Sequence, residues 1–263
     1  MSKTNKDKWI LKPGNALFFL LLALFVLFLI LLSSIVRREG DMTARVILSV
    51  LCAMTTVGFF VYKYRLSIDK EYSDLKASKG MGEFNWWGEL PLHLCNINMI
   101  LIPIAVMKKY RPLMCFCFFL APLGAFMAVC MPGAGFDGYS IFLPRMMGYF
   151  GTHFMIIIEG LALVTFSLYR PKFRDLPRAV LTAWVLMVCL FGFNMLLRLT
   201  GVYPNANYFY SVETEGNALL GLFYRWIPIP CLYLAPAIVI LGVYMLLSTI
   251  PFALTDRRQG KEH

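Results

Sequence analysis

The densest chemistry in the sequence is the stretch Gly88-Glu89-Leu90-Pro91-Leu92-His93-Leu94-Cys95-Asn96-Ile97-Asn98. It sets a carboxylate, an imidazole, a thiol and two amides inside an apolar run. Ionisable groups at bilayer depth cost several kcal/mol, which makes each of them a functional candidate. A thiol attacks an ester once its proton is taken by a neighbouring base, and imidazole does this near neutral pH. On a continuous helix Glu89, His93 and Asn96 share one stripe (i, i+4, i+7), while Cys95 and Asn98 fall on another, roughly opposite. His93 and Cys95, two residues apart, do not face each other on such a helix, so the base must come from elsewhere. His153, in Tyr149-Phe150-Gly151-Thr152-His153, is the only other histidine within an apolar run. Cys95 with His153 is therefore a candidate catalytic dyad, with Asn96 or Asn98 orienting it or donating to an oxyanion. Residue types leave a plainer alternative open, in which the histidine hydrogen-bonds across helices and the cysteine is a small packing residue.

Other polar residues within apolar runs are Glu159, Asn194 and Arg198. Asn194 and Arg198 are i, i+4 on one run, and Glu159 is placed to pair with Arg198 or Arg225. That pairing is structural; an ion or proton path is the functional alternative.

These residues sit in a chain that is 59% hydrophobic and 15% charged, with mean hydropathy +0.66. Soluble domains carry about 25% charged residues. In hydrocarbon every backbone polar group needs an internal partner, which leaves helices or closed barrels. The apolar segments here run about twenty residues without alternation, so helices are expected. The fold expected is an all-α, polytopic membrane bundle of about seven transmembrane helices forming a single domain over 1–263. Seven runs are marked: 16–36, 43–62, 86–107, 113–131, 146–168, 179–199 and 224–250. The polar stretch 63–84 is a loop, Gly and Pro fill 132–144, and Pro228, Pro230 and Pro236 lie near the start of the seventh run. The two polar stripes of the third run place it centrally in the bundle.

The net charge of +10 comes from 25 Lys and Arg against 15 Asp and Glu. The basic residues sit mainly in short loops and tails, which points to topology and anionic headgroups and not to nucleic acid. Lys108, Lys109, Arg111, Arg170, Lys172, Arg174, Arg178 and the tail at Arg257, Arg258 and Lys261 favour a cytoplasmic C-terminus in a cell membrane. Lys3, Lys6, Lys8 and Lys12 argue the other way. The first run is long for a signal peptide and is read as a retained helix. The seven cysteines show no Cys-x-x-Cys pair and no zinc spacing, so neither a disulfide framework nor a metal is expected.

At Leu90-Pro91-Leu92-His93-Leu94-Cys95-Asn96-Ile97 the sequence resembles the YwaF-type bacterial integral membrane proteins, small seven-helix proteins. The resemblance continues at His153, at Asn207-Tyr208-Phe209, and at the segment with Pro228, Pro230 and Tyr233. It departs after Tyr208, where Ser211-Val212-Glu213-Thr214-Glu215 replaces a Lys-Pro, and again in Trp226-Ile-Pro-Ile-Pro-Cys-Leu-Tyr233. The family is distantly similar to a vertebrate branch implicated in acyl transfer to ether lysophospholipids, where a cysteine in the equivalent motif carries the acyl group. The resemblance implies Cys95 as nucleophile with His153 or His93 as base. Glu89, Asn96, Asn98, Asn207 and Tyr208 are the expected substrate-binding residues, membrane lipids are the expected partners, and no cofactor is expected. The expected function is a lipid-handling, cysteine-dependent phospholipid acyltransferase. The alternatives are a small transporter, or a binding or sensor protein, with Glu89, His93, Asn96, Glu159 and Arg198 lining a polar path; a partner subunit without chemistry is a third.

Overall fold

The structure is a computed structural model that describes residues 9–78, 84–133 and 135–260. Lys3, Lys6, Lys8 and Lys261, used above for orientation, lie outside the described residues. Nine α-helices are present among the described residues: α1 (Ala16–Val36), α2 (Asp41–Ser67), α3 (Lys70–Ser78), α4 (Asn98–Met107), α5 (Arg111–Cys130), α6 (Pro144–Thr165), α7 (Leu176–Leu199), α8 (Ala218–Trp226) and α9 (Ala235–Arg258). Two short strands, β1 (Ile10–Leu11) and β2 (Tyr139–Ser140), pair antiparallel and tie the start of α1 to the loop before α6.

Six segments are long and apolar enough to cross a membrane, namely α1, α2, α5, α6, α7 with the short turn before it, and α9 with the short turn before it. Local chemistry sets their ends. The Asn15 side chain accepts from the Phe18 N–H at 2.9 Å and starts α1. Prolines in the first turns of α5, α6, α7 and α9 sit where no intrahelical N–H is needed.

The hub is α6, which packs against α1, α2, α4 and α5, while α7 packs on α5 and α9. Two glycines permit the close approaches. A Cβ at Gly148 would lie 2.3 Å from the Tyr62 ring on α2, and one at Gly160 would lie 2.6 Å from Pro122 Cδ on α5. The bundle's outer faces carry apolar side chains such as Phe19, Leu31, Val57, Leu181 and Leu247, all exposed. That is the distribution expected of a lipid-facing surface.

The third run departs from the expected continuous helix. Residues 84–97 form turns, and only Asn98–Met107 is helical. At 1.5 Å per residue α4 is about 15 Å long, half of a hydrocarbon core of about 30 Å. Pro91 lacks an amide hydrogen and disfavours a helical Leu90, and the polar side chains of the segment hold its turns. Asn85 Oδ1 accepts from the Trp87 N–H at 2.9 Å, and the Asn98 amide donates to the Leu94 carbonyl at 2.6 Å. Glu89, His93 and Asn96 therefore do not share a helical stripe, because the segment that carries them is not helical. Segment and helix together still run the length of α2. Glu89 pairs with Lys63 near the end of α2 at 2.5 Å, and the Arg45 guanidinium near its start donates to the Val106 carbonyl.

The seventh run is also broken. Pro228 and Pro230 stop α8 at Trp226, Cys231 takes φ 66°, and α9 begins only at Ala235. The stretch 63–84, read as a loop, carries the end of α2 and the whole of α3. Ion pairs clamp the two ends of the bundle. Arg145 at the start of α6 holds Asp69 at 3.1 Å and Glu71 at 2.8 Å, and Arg111 at the start of α5 holds Asp175 at 2.7 Å.

Candidate active site

Cys95 is presented by the irregular segment and His153 by α6. Cys95 Sγ lies 3.6 Å from His153 Nε2, within hydrogen-bond reach for sulfur. On its other side His153 Nδ1 is 2.7 Å from the Tyr149 carbonyl one turn earlier. A carbonyl only accepts, so the ring proton sits on Nδ1 and Nε2 is left as an acceptor facing the thiol. This is the tautomer a base toward Cys95 needs. The Tyr149 ring also lies against the imidazole, with centroids 4.5 Å apart, and its hydroxyl donates to the Ala128 carbonyl at 2.8 Å. Together these contacts fix the ring plane of His153 from one side of α6.

Space for Cys95 comes from Gly124 of α5, where a Cβ would stand 3.6 Å from the Cys95 backbone nitrogen and 3.7 Å from its Cβ. An alanine there would meet the segment at ordinary van der Waals distance, and a bulkier side chain would press on it from the α5 side. Cys95 is half-buried, while His153 is buried.

The two asparagines differ. The Asn98 amide nitrogen is occupied by the Leu94 carbonyl at 2.6 Å and the Cys95 carbonyl at 3.4 Å, so it holds the turn that carries the thiol. Asn96 makes no side-chain hydrogen bond among the described residues, and its buried Oδ1 has no partner. Of the two, Asn96 is the one with an amide to give.

His93 makes no hydrogen bond to either member of this pair among the described residues. Its ring packs against those of Tyr208 at 5.6 Å and Tyr210 at 6.0 Å. Tyr208 is buried, its hydroxyl has no partner among the described residues, and its backbone N–H and C=O both bond the Asn194 side chain at 2.9 Å. Asn194 thus anchors the loop carrying Tyr208. Asn207 is consumed by its own loop: its amide donates to the Glu213 carbonyl and to Glu215, and its Oδ1 accepts from the N–H groups of Val212 and Glu213. Beside this loop, burial raises the Tyr203 hydroxyl above the usual tyrosine range, with the Glu89 charge as a second cause.

Two expected pairings are corrected. Glu159 reaches neither Arg198 nor Arg225. It sits fully buried in α6 with one oxygen 2.5 Å from the Thr55 hydroxyl of α2. Arg198 instead donates to the Ala206 carbonyl at 2.7 Å and to Glu213 at 2.7 Å, because it lies on the last turn of α7, beside that loop. Glu159 and Arg198 therefore serve separate parts of the molecule. The seven cysteines are all free, and no group of His, Cys, Asp and Glu among the described residues has metal-holding geometry.

Three contributors escaped the sequence reading. Tyr149 was visible as the i−4 neighbour of His153, a spacing that offers its carbonyl to the ring. Lys63 and Gly124 carried no local signal, since their roles depend on how α2 and α5 pack.

The apolar spans and the buried polar site define a multi-pass helical membrane protein. The TMEM164 family profile matches residues 10–248, most of the chain, and the chain belongs to the TMEM164 family. No curated protein and no solved structure matches it.

Proposed function

We propose that the protein is a cysteine-dependent membrane acyltransferase acting on phospholipids. The single observation that carries this is the Cys95–His153 contact with the imidazole held in the accepting tautomer. The resemblance of Leu90–Asn96 to YwaF-type proteins, and through them to a vertebrate acyl-transfer branch, supplies the substrate class.

In the first half-reaction His153 Nε2 takes the Cys95 proton as sulfur attacks an acyl ester of a donor phospholipid. A C–S bond forms, the ester C–O bond breaks, and the imidazolium returns the proton to the departing lysophospholipid hydroxyl. The positive ring is stabilised by the Tyr149 carbonyl on Nδ1. In the second half a lysophospholipid hydroxyl gives its proton to Nε2 and attacks the thioester, and the thiol is restored. The Asn96 amide, next to Cys95 in the chain and not spent on the fold, is the donor assigned to the developing oxyanion. His93 takes no part as base, since it packs on the Tyr208 and Tyr210 rings. Non-helical backbone at this depth is tolerated because it contacts α2, α5 and α6 through Lys63, Gly124 and His153.

In this reading the segment 84–97 and α4 together make a third crossing, giving seven passes. The basic ends of α4, α6 and α9 then lie on the cytoplasmic side, and the Cys95 site lies toward the opposite leaflet.

The test is acyl exchange between a labelled phospholipid and a lysophospholipid, using purified protein in bilayers. Loss of exchange in Cys95→Ala, with retention in Glu159→Gln, is expected. Exchange that survives Cys95→Ala overturns the proposal, and proton- or ion-dependent flux lost in Glu159→Gln would favour a transporter instead.

A further inference from the structure

The Lys63–Glu89 ion pair is half-buried, with side-chain exposures of 14% and 17%, at the edge of the Cys95 site. The Lys63 charge acts on Cys95, His93 and His153, and the Glu89 charge acts on His93 and Tyr208. The Lys63 ammonium lies over the rings of Phe59 and Tyr62, at 5.2 Å and 4.9 Å, which fixes the end of its flexible stem.

Depth along the bundle adds a second constraint. Trp86 and Trp87, 45% and 43% exposed, stand three and two residues before Glu89, at the level where indole rings meet the headgroups. Lys63 is one turn from the end of α2. Tyr62 abuts Gly148 of α6, and His153 is five residues further along α6, about 7.5 Å deeper at 1.5 Å per residue. The charge pair therefore sits at the headgroup level, and the thiol sits below it, where the glycerol esters lie.

We propose that Lys63 and Glu89 form a receptor for a zwitterionic phospholipid headgroup, with the Lys63 ammonium taking the phosphate and the Glu89 carboxylate taking the headgroup ammonium. In the empty site the two charges neutralise each other. A phosphoethanolamine group replaces that contact with two of the same kind and leaves the site neutral; phosphocholine, whose nitrogen carries no N–H, keeps the charge match but donates nothing to Glu89. An anionic headgroup satisfies Lys63 but leaves Glu89 facing like charge or no charge, so the pair selects for the zwitterion. The ester carbonyl of a lipid held this way falls beside Cys95. The inference takes its reason for a lipid at this place from the acyl-transfer reading, but its test does not need turnover.

The measurement is equilibrium binding of lysophosphatidylethanolamine and lysophosphatidylglycerol to the full chain in neutral detergent, in a Cys95→Ala background that cannot form a thioester. Charge-assisted contacts of this kind are expected to favour the zwitterion by about tenfold. Glu89→Gln should collapse that preference, Lys63→Gln should weaken both lipids, and Lys63→Arg should keep the preference. Equal binding of the two lipids by the unsubstituted pair overturns the proposal, and this arm stands even if a variant fails to fold. A preference unchanged in folded Glu89→Gln overturns it as well. Selective binding without any acyl exchange would retain the headgroup receptor and remove the acyltransferase. Exchange without headgroup preference would do the reverse.

Discussion

At the scale of single residues, the site depends on one hydrogen-bonded chain, from the Cys95 thiol through the His153 imidazole to the Tyr149 carbonyl. Removing the base should slow acyl exchange by about 10²–10⁴-fold, the usual contribution of a positioned general base. His153→Gln is the informative variant, because it keeps a polar side chain on α6 while removing the imidazole; rates near wild type would show that Nε2 does not take the proton. Asn96→Ala should slow exchange with little change in thermal stability, as its side chain holds nothing in the fold. Asn98→Ala should lower both stability and rate, since its amide holds the Leu94 carbonyl. Comparing melting temperatures and rates for the two variants separates the roles. Most of the residues that meet here were legible in the sequence. Cys95, His93, His153 and the asparagines stand out because apolar runs otherwise exclude them. The choice of His153 over His93 came from a helical-wheel argument that does not apply to residues 84–97, and it is the observed contact that now places His153 beside the thiol. Asn207 carried no sign that its amide would be spent on the loop 212–215.

At the scale of elements, the third run shows where hydropathy reading stops. An apolar run of twenty residues predicts a helix, but hydropathy does not register that Pro91 and the polar groups around it offer the backbone other partners. The result is a turn segment feeding a half-length helix, and the thiol sits on the turn. The same competition divides the seventh run at Pro228 and Pro230. The Lys63–Glu89 pair was hidden because Lys63 reads locally as the polar end of a helix. The remaining helices follow their apolar runs to within a few residues, with Asn15 capping α1 and first-turn prolines starting α5, α6 and α7. Packing of α6 makes the sharpest element-scale prediction. Gly160→Ala would bring a Cβ to 2.6 Å from Pro122 Cδ, a ring atom with no freedom to withdraw. A destabilisation of about 1–3 kcal/mol is expected, measured as a lower midpoint in thermal or denaturant unfolding. An unchanged midpoint would mean that α5 and α6 are not in this close contact.

At the scale of the whole molecule, the chain is a bundle organised around α6, with charged clamps at both ends and a polar site toward one of them. The loop holding Asn217 and the loop holding Lys172 belong to opposite ends. In intact cells a membrane-impermeant thiol reagent should label Asn217→Cys, whereas Lys172→Cys should react only after permeabilisation. The reverse pattern would invert the orientation and move the site to the cytoplasmic leaflet. The central claim, that Cys95 carries an acyl group, is tested most directly by intact-protein mass spectrometry after incubation with mixed phospholipids. The account predicts a hydroxylamine-sensitive acyl mass on wild-type protein that is absent from Cys95→Ala and enriched when acceptor lysophospholipid is withheld. Folded, lipid-loaded wild-type protein that gains no such mass without acceptor would contradict it.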